Sequence, residues 1–345
     1  MKSHLYQFAP AELGRLLTEW FTPLIGLAVI LRLGAASGLL PAPWPCHGVD
    51  ETILVHQAQA SQTRSDADLL LIGDSSCLTD VSGIQLQESL GGTYRVLNLG
   101  TLSYLGLNGY AELLSRYCAA NPGQVRGVVV LLHPEMLRGV GTISPYLAFL
   151  SDFYAGADHG DASAIQGQIS GLLGADIVWN RFWGRAPVPL SGAWGFYYGF
   201  NRDLNRFMTD HRGSALDPHN YTFRPGQGNA EYRLAPDWES GCRALKAAMP
   251  PTAKLFIGIT PVPASFAPPG YDVHQQRMLI QWGQWMEPDA RLNGLPATLP
   301  DNQFASTTHL NSAGNTNYTD LLARCLKPLL PGSSPEGFAA HQAGH

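Results

Sequence analysis

The sequence predicts a three-layer α/β fold in which a parallel sheet is covered by helices on both faces. Short segments that are apolar throughout alternate with segments of helical periodicity, and this alternation is typical of parallel strands buried on both faces. The 345 residues are 45% hydrophobic and only 14% charged, so the chain can bury a large core.

The predicted elements follow one another along a domain at 46–330, after an N-terminal segment at 1–45. Continuous apolar runs predict four strands, at 68–73, 94–100, 126–132 and 253–260. Helices are predicted at 83–90, 107–119, 236–249 and 312–329, the last with Asn311 as its N-cap.

The segment 140–234 interrupts this alternation and is predicted to be an insertion between the third and fourth strands. Its aromatic residues have two interpretations: a small core of the insertion's own, which we expect for most of them, or a platform that stacks sugars or meets a membrane surface. They are Trp179, Phe182, Trp183, Trp194, Phe196, Tyr197, Tyr198 and Phe200. The last segment, 331–345, is predicted to be a flexible tail.

The N-terminal segment contains a candidate membrane anchor. Residues 20–40 are almost all apolar, with Arg32 as the one charge, and about 20 such residues span a bilayer as a helix. Lys2 and Arg15 precede this run, and no Lys or Arg follows it before Arg64. The asymmetry predicts a cytoplasmic N-terminus and an extracytoplasmic (periplasmic) domain held at the cell membrane. A buried amphipathic helix and a cleaved signal peptide are the alternatives.

Charge and cysteine content narrow the function further. The formal net charge is -5 and no Lys/Arg run is present, so nucleic acid is not an expected partner. The five cysteines and eleven histidines do not have metal-site spacing, and no cofactor is predicted. One disulfide, such as Cys242–Cys325, would fit an oxidising compartment.

The stretch "LLLIGDSSCLTD" at 69–80 places polar residues where the first predicted strand ends, at the sheet edge where α/β proteins bind ligands. Gly73 permits a sharp turn there, and the helix that follows would direct its N-terminal amides at the group that Ser75 attacks. Ser75 needs a base, and His309 in "FASTTHLNSAGN" precedes the last predicted helix, where it can reach the same edge. The pattern predicts a Ser–His pair, with Ser76 as the alternative nucleophile.

These motifs resemble those of the SGNH (GDSL-type) esterase and acyltransferase superfamily, over most of the chain from 69 to 330 apart from the insertion. "IGDSS" is similar to the nucleophile block, "LNLGTLSY" to the second block, "IGITPVP" to the strand and turn before the last catalytic loop, and "HLNSAGN" to the final block. The resemblance implies a flavodoxin-like SGNH fold, with Ser75 as nucleophile and His309 as general base. It also implies an oxyanion hole formed by the amides of Ser75 and Gly100.

The chain departs from the family's pattern at two positions. The family has an Asp three residues before its histidine, where this chain has Ser306, so Ser306, Asp301 or a backbone carbonyl is the candidate that orients the imidazole. In place of the family's third-block Asn, which donates to the oxyanion, His133 follows the third strand. Losing one such donor typically lowers the rate about 100- to 1000-fold.

Three further residues are candidates for binding substrate: Asp74, Ser76 and Glu135. Asp74 also fits an acceptor that stabilises the turn, and Glu135 also fits a solvated loop carboxylate.

The resemblance implies a membrane-anchored serine O-acyl esterase or transferase, with acetyl as the expected acyl group. Similarity to the DltD-like and polysaccharide O-acetylation accessory branches implies an extracytoplasmic glycan as substrate and a membrane-bound O-acyltransferase as partner. One alternative is a catalytically weak or inactive accessory protein that binds a glycan or that partner. Another is a soluble lipid or thioester hydrolase.

Overall fold

The chain divides into two compact units in a computed structural model. The described residues are 10–37, 39, 48–137, 144–155, 189–220, 234–235 and 238–330. One unit comprises Met1–His47 and Ala155–Val188, and within it the structure describes helix α1 (Pro10–Ala36). Across the described ranges, no helix has both the length and the apolar character of a membrane span. The predicted tail at 331–345 lies outside the described residues.

The other unit, Gly48–Tyr154 with Pro189–His345, is an α/β domain built on a parallel sheet of five strands. The described strands are β1 (Leu69–Gly73), β2 (Val96–Asn98), β3 (Gly127–Leu132), β4 (Lys254–Ile259), β5 (Val262–Pro263), β6 (Ala290–Arg291) and β7 (Thr298–Leu299). The large sheet has the order β2-β1-β3-β4-β6, and β5 pairs with β7 in a separate two-stranded sheet. The prediction of an α/β fold with a parallel sheet is confirmed.

Counted within the large sheet, this order is the 2-1-3-4-5 arrangement of flavodoxin-like folds. Leu71 of β1 lies opposite Asn98 on one side and Val129 on the other. Because the strand order reverses between β1 and β3, the carboxyl ends of these two strands border the crevice where such folds bind ligands.

Helices cover both faces of the sheet. The remaining described α-helices are α2 (Val49–Gln62), α3 (Ser75–Asp80), α4 (Gly83–Ser89), α5 (Gly106–Ala120), α6 (Pro134–Leu137), α7 (Ser144–Tyr154), α8 (Gly192–Tyr198), α9 (Asn201–Asp210), α10 (Trp238–Ala247), α11 (Tyr271–Met286) and α12 (Ser312–Leu326). Leu70 and Ile72 of β1 point into a first core with α2, α5, α10 and α11, whereas Leu69 and Leu71 point into a second core with α4 and α12. This alternation along a strand produces the three layers.

Several elements of the domain were not predicted, among them α2, β6 and α11. Strand β6 has only two residues, too few for a recognisable pattern. Helix α11 does carry a helical pattern, because Tyr271, Met278, Leu279, Trp282 and Met286 are all buried on one side of it.

The aromatic residues of the insertion that the structure describes do not form the separate core that we expected. Helix α9 packs on α2, and Trp194, Tyr198 and Phe207 therefore belong to the first core or pack against it. Phe196 and Tyr197 are exposed. The predicted residues Trp179, Phe182 and Trp183 lie outside the described residues.

The suggested disulfide is wrong. Cys242 and Cys325 are both free thiols. Cys242 lies in the first core and Cys325 packs against the second, so the sheet separates them.

Candidate active site

Ser75 is the first residue of α3, directly after β1 and Asp74. A Cβ on Gly73 would lie 1.9 Å from the carbonyl oxygen of Leu131, so the close approach of β1 to β3 requires glycine. This tight turn brings the half-buried Ser75 to the crevice at the carboxyl edge of the sheet.

Asp74 and Ser76 form a buried network that supports this turn. As the N-cap of α3, the Asp74 carboxylate accepts from the amide of Ser76 at 3.0 Å and its hydroxyl at 2.6 Å, and it accepts from the His133 amide at 2.9 Å. The Ser76 hydroxyl also accepts from Thr260 Oγ1 at 3.0 Å. Both residues are 0% exposed, so neither can contact a substrate here. This corrects their predicted substrate-binding roles and leaves Ser76 a poor alternative nucleophile.

His309 reaches Ser75 from the other end of the domain. The His309 loop (304–311) is closed by a bridge between Phe304 and Leu310, and Asn311 caps α12 by accepting from the Gly314 amide at 3.1 Å. His309 Nε2 lies 2.8 Å from Ser75 Oγ. The predicted contact between these two side chains is present.

The third member of the triad is Asp217. Its Oδ2 lies 2.6 Å from His309 Nδ1, and its side chain is 4% exposed. This corrects both sequence candidates: Asp301 accepts from the amide of Ser265 at 3.0 Å, and the Ser306 hydroxyl accepts from the backbone amide of His309 at 3.0 Å, not from its ring. The order Ser–His–Asp is the arrangement of a nucleophile, its base and the group that orients the base.

Asp217 belongs to a stretch of the insertion, the Asp217 segment (211–217), that is hydrogen-bonded to β2 and α3. The Asn98 amide donates to the Arg212 carbonyl at 2.8 Å, and the Ala215 amide donates to the Leu78 carbonyl at 3.1 Å. Between them, Gly213 has φ +84, and a Cβ there would lie 2.0 Å from the Asn98 carbonyl oxygen. The segment can therefore pass β2 only with glycine at this position.

Asn98 is the side chain that connects the Asp217 segment to the nucleophile helix. It is 0% exposed, and its Nδ2 donates to the Cys77 carbonyl at 2.8 Å and to Ser214 Oγ at 3.1 Å. Its Oδ1 accepts from the Gly100 amide at 2.8 Å. The predicted oxyanion role of Gly100 is corrected by this bond, since its N–H is already used.

A second hydroxyl, that of Ser103, lies close to the Ser75 side chain. Ser103 Oγ is 3.4 Å from Ser75 Oγ, and Ser103 is half-buried. His133 is 3% exposed, and its ring Nδ1 accepts from the Glu135 amide at 3.2 Å. The predicted roles of His133 in the oxyanion hole and of Glu135 in substrate binding stay predictions.

Asp217 contacts a second imidazole through its other oxygen. Oδ1 accepts from the backbone amide of His219 at 2.9 Å and lies 2.7 Å from the His219 ring Nδ1. These contacts fix the carboxylate so that Oδ2 faces His309.

The charges of the site favour an ionised Asp217 next to a basic His309. Burial raises the pKa of Asp217, but the hydrogen bond and charge of His309 and the two His219 donors outweigh it and hold that pKa at about 2. Burial likewise lowers the pKa of His309, but the hydrogen bond to Asp217 and the charges of Asp80, Asp217 and Asp74 outweigh it, so the net shift is upward. An ionised Asp217 accepts a hydrogen bond from the N–H at Nδ1, so Nε2 carries the lone pair that can accept the proton of Ser75.

One other feature, an open cleft, lies away from these three residues. An open cleft of about 310 Å³ is lined by α2, α9 and the edge of β2, including His56, Asn205 and Arg212, but not by any triad residue. In the described ranges, no group of three His, Cys, Asp or Glu side chains could hold a metal ion.

Comparison with known proteins does not assign the chain to a family. No family model matches the chain, and no curated protein matches it. The function is therefore inferred from the site itself and from the sequence motifs.

Proposed function

We propose that this protein is a serine O-acyl esterase or acyltransferase of the SGNH type, with Ser75 as nucleophile, His309 as base and Asp217 as the acid that orients it. The observation that carries the proposal is the continuous Ser75–His309–Asp217 hydrogen-bond chain, with distances of 2.8 and 2.6 Å. The alternative of an inactive accessory protein rests on the family's Asp and third-block Asn missing from their motif positions, and Asp217 supplies a carboxylate.

In the first half of the reaction, Ser75 Oγ attacks the ester carbonyl carbon while His309 Nε2 takes the hydroxyl proton. The carbonyl oxygen becomes an oxyanion, which accepts hydrogen bonds from the Ser75 amide and the Ser103 hydroxyl. His309 then gives its proton to the leaving alcohol oxygen as the ester C–O bond breaks, and the acyl group remains on Ser75.

In the second half, His309 takes a proton from water or from a sugar hydroxyl, and the resulting oxygen nucleophile attacks the acyl-serine. The bond to Ser75 Oγ breaks, and His309 returns its proton to that oxygen. Water releases a free acid, whereas a sugar hydroxyl receives the acyl group.

An acetylated extracytoplasmic glycan is the proposed substrate, and a membrane-bound O-acyltransferase is the proposed partner. Both rest on the sequence resemblance, whereas the proposed location outside the cell membrane rests on the apolar run at 20–40 and the Lys/Arg asymmetry around it. Fractionation of cells that express the full chain, followed by protease protection of intact spheroplasts, tests the location. Recovery in the cytosolic fraction would contradict it.

Labelling with a fluorophosphonate probe tests the nucleophile. We expect the wild-type protein and Ser76→Ala to be labelled, and Ser75→Ala to lose both labelling and p-nitrophenyl acetate hydrolysis, the latter by about 10⁴-fold or more. Circular dichroism checks that each variant is folded. Labelling that survives Ser75→Ala in a folded protein, or no labelling of the wild type, would refute the proposal.

Replacement of Ser103 tests the oxyanion hole. Ser103→Ala should lower kcat about 100- to 1000-fold with little change in KM, because the lost bond forms only when the oxyanion forms. Ser103→Thr keeps a hydroxyl and should recover part of that loss. An unchanged kcat in Ser103→Ala would remove Ser103 from the mechanism without removing Ser75.

A further inference from the structure

A pair of aromatic rings lies beside Ser103. The ring centroids of Tyr104 and Tyr146 are 6.1 Å apart and their planes differ by only 12°. Tyr104 belongs to the short 3₁₀ turn Ser103–Leu105, and Tyr146 belongs to α7 of the insertion. The two nearly parallel rings are stacked on each other, and they are called here the tyrosine pair.

The tyrosine pair is held in place before any ligand arrives. Leu105 is 0% exposed in the first core, and it fixes the turn that carries Tyr104. The Tyr146 hydroxyl donates to Asp50 Oδ2 at 2.8 Å, and this bond raises the pKa of Tyr146 to about 12. Tyr104 nevertheless stays 42% exposed, so the pair offers an accessible ring at little cost in side-chain ordering.

The turn that carries Tyr104 also brings Ser103 next to Ser75. Ser103 Oγ is 3.4 Å from Ser75 Oγ, and Tyr104 is the next residue, with its Cα about 3.8 Å from that of Ser103. A substrate whose ester carbonyl lies between Ser75 and Ser103 would therefore extend a neighbouring group toward the tyrosine pair.

The chemistry of the pair favours a neutral sugar ring. A flat aromatic face attracts the partly positive C–H groups of a pyranose, while the hydroxyl groups of the sugar stay in water. Asp50 and Glu51 lie beside Tyr146 and would disfavour an anionic ligand.

We propose that Tyr104 and Tyr146 form a subsite that stacks a neutral sugar ring of the acyl-glycan substrate next to Ser75. This inference rests on the proposed function, because it assigns a place to the glycan part of an ester that Ser75 cleaves. Tyr104 supplies the exposed stacking face, and Tyr146 packs against the Tyr104 ring and orients it.

The experiment compares two kinds of acetyl ester on the full chain. One is p-nitrophenyl acetate, which has no sugar, and the other is a panel of chemically acetylated fragments of cellulose, xylan and chitin. With the sugar esters, Tyr104→Ala should raise KM about 3- to 10-fold, whereas KM for p-nitrophenyl acetate should stay within about twofold. Tyr104→Phe keeps the ring and should behave like the wild type, and Tyr146→Phe should raise KM less than Tyr104→Ala does.

A purely structural role of the pair predicts a different pattern, in which Tyr104→Ala impairs both kinds of ester equally. That result would overturn the subsite, and so would an unchanged KM for the sugar esters. Hydrolysis of p-nitrophenyl acetate without turnover of any sugar ester would overturn the subsite but leave the proposed function standing. A wild-type protein without labelling or hydrolysis would refute the proposed function and the subsite with it.

Discussion

The His309 loop and the Asp217 segment are both hydrogen-bonded to helix α3, but the His309 loop is also closed by a bridge between its own residues, Phe304 and Leu310. The His309 loop is closed by its own hydrogen bonds, such as the one from the His309 amide to Ser306 Oγ. The Asp217 segment bonds instead to residues more than 100 positions away, including Asn98 and Leu78. Local bonds leave a pattern in the sequence, whereas long-range bonds depend on how the chain folds back.

Both regions use α3 as their common reference. On one side, the Leu310 amide donates to Asp80 Oδ1 at 2.8 Å and Asn315 Nδ2 donates to the Thr79 carbonyl at 2.6 Å. On the other side, the Ala215 amide of the Asp217 segment donates to the Leu78 carbonyl of α3 at 3.1 Å. The triad geometry therefore depends on two separate attachments to one six-residue helix.

The largest effect should come from Asp217→Asn, which removes the carboxylate that contacts His309. An amide at this position can turn its NH₂ toward His309 and favour the wrong tautomer, so we expect kcat to fall by about 10³- to 10⁴-fold. The loss of a negative charge also lowers the pKa of His309, so the acidic limb of the residual kcat–pH profile should move to lower pH. Steady-state kinetics with p-nitrophenyl acetate between pH 5 and pH 9 measures both effects.

Asp301→Asn is the matched control, because Asp301 was the carboxylate favoured by its position in the sequence. It caps the amide of Ser265, and its replacement should leave kcat within about threefold. Equal losses of kcat in both variants would contradict the assignment of Asp217.

A smaller effect, on the free energy of unfolding, is expected from two variants that each weaken one of the two attachments. Asn98→Ala removes the acceptor of the buried Gly100 amide and the donor to Ser214, and should cost about 3 kcal/mol of the free energy of unfolding. Asn315→Ala removes one donor, to the Thr79 carbonyl, and should cost about 1–2 kcal/mol. Urea denaturation measures both.

The two variants should also differ in the pH profile. Asn98→Ala loosens the Asp217 segment and should move the acidic limb to lower pH, in the same direction as Asp217→Asn. Asn315→Ala leaves the Asp217–His309 contact intact and should leave the limb where it is. The two attachments would not be separable if Asn315→Ala were the more destabilising change. They would also not be separable if the acidic limb moved equally in the two variants.

The same contrast explains how much of the site could be predicted from the sequence. Ser75 follows a strand of apolar residues and His309 precedes a helix with an Asn N-cap, so both have local patterns at the carboxyl edge of the sheet. Asp217 lies in a Gly- and Pro-rich insertion, and its partners are found through the strand order. The spacing of the motif therefore pointed to Ser306, and proximity along the chain pointed to Asp301.

The fold shows the same division. The strands at the centre of the sheet could be predicted because each is a buried apolar run, but β6 is held by its pairing with β4 and has only two residues. Gly100 was assigned to the oxyanion hole from a motif, yet its amide bonds to a side chain only two residues away in the sequence. A motif fixes which residues lie near a site, but it does not fix which hydrogen bonds remain available there.

The smallest and most selective change tests Asp80, the carboxylate through which α3 holds the His309 loop. Asp80 is 0% exposed, its Oδ1 accepts from the Leu310 amide, and its Oδ2 has no hydrogen-bond partner among the described residues. Burial raises the pKa of Asp80 from 3.8 to about 7. The folded state therefore holds this proton more tightly than the unfolded state does. The resulting contribution to stability is fully present below about pH 4 and is lost as the pH rises through about 7.

Asp80→Asn keeps an oxygen for the Leu310 amide but cannot ionise, so it does not lose stability over that range. We expect the Tm difference between Asp80→Asn and the wild type to increase between pH 5 and pH 8. Burial of the amide NH₂ adds a constant offset to this difference and does not change its trend. Because the Asp80 charge raises the pKa of His309, the acidic limb of the kcat–pH profile should also move to slightly lower pH.

The exposed Asp320 of α12 is the control, and Asp320→Asn should give a nearly constant Tm difference. A constant difference in Asp80→Asn as well would mean that Asp80 does not carry a buried charge near neutral pH. The attachment of the His309 loop would then be a matter of hydrogen-bond geometry alone, like that of the Asp217 segment.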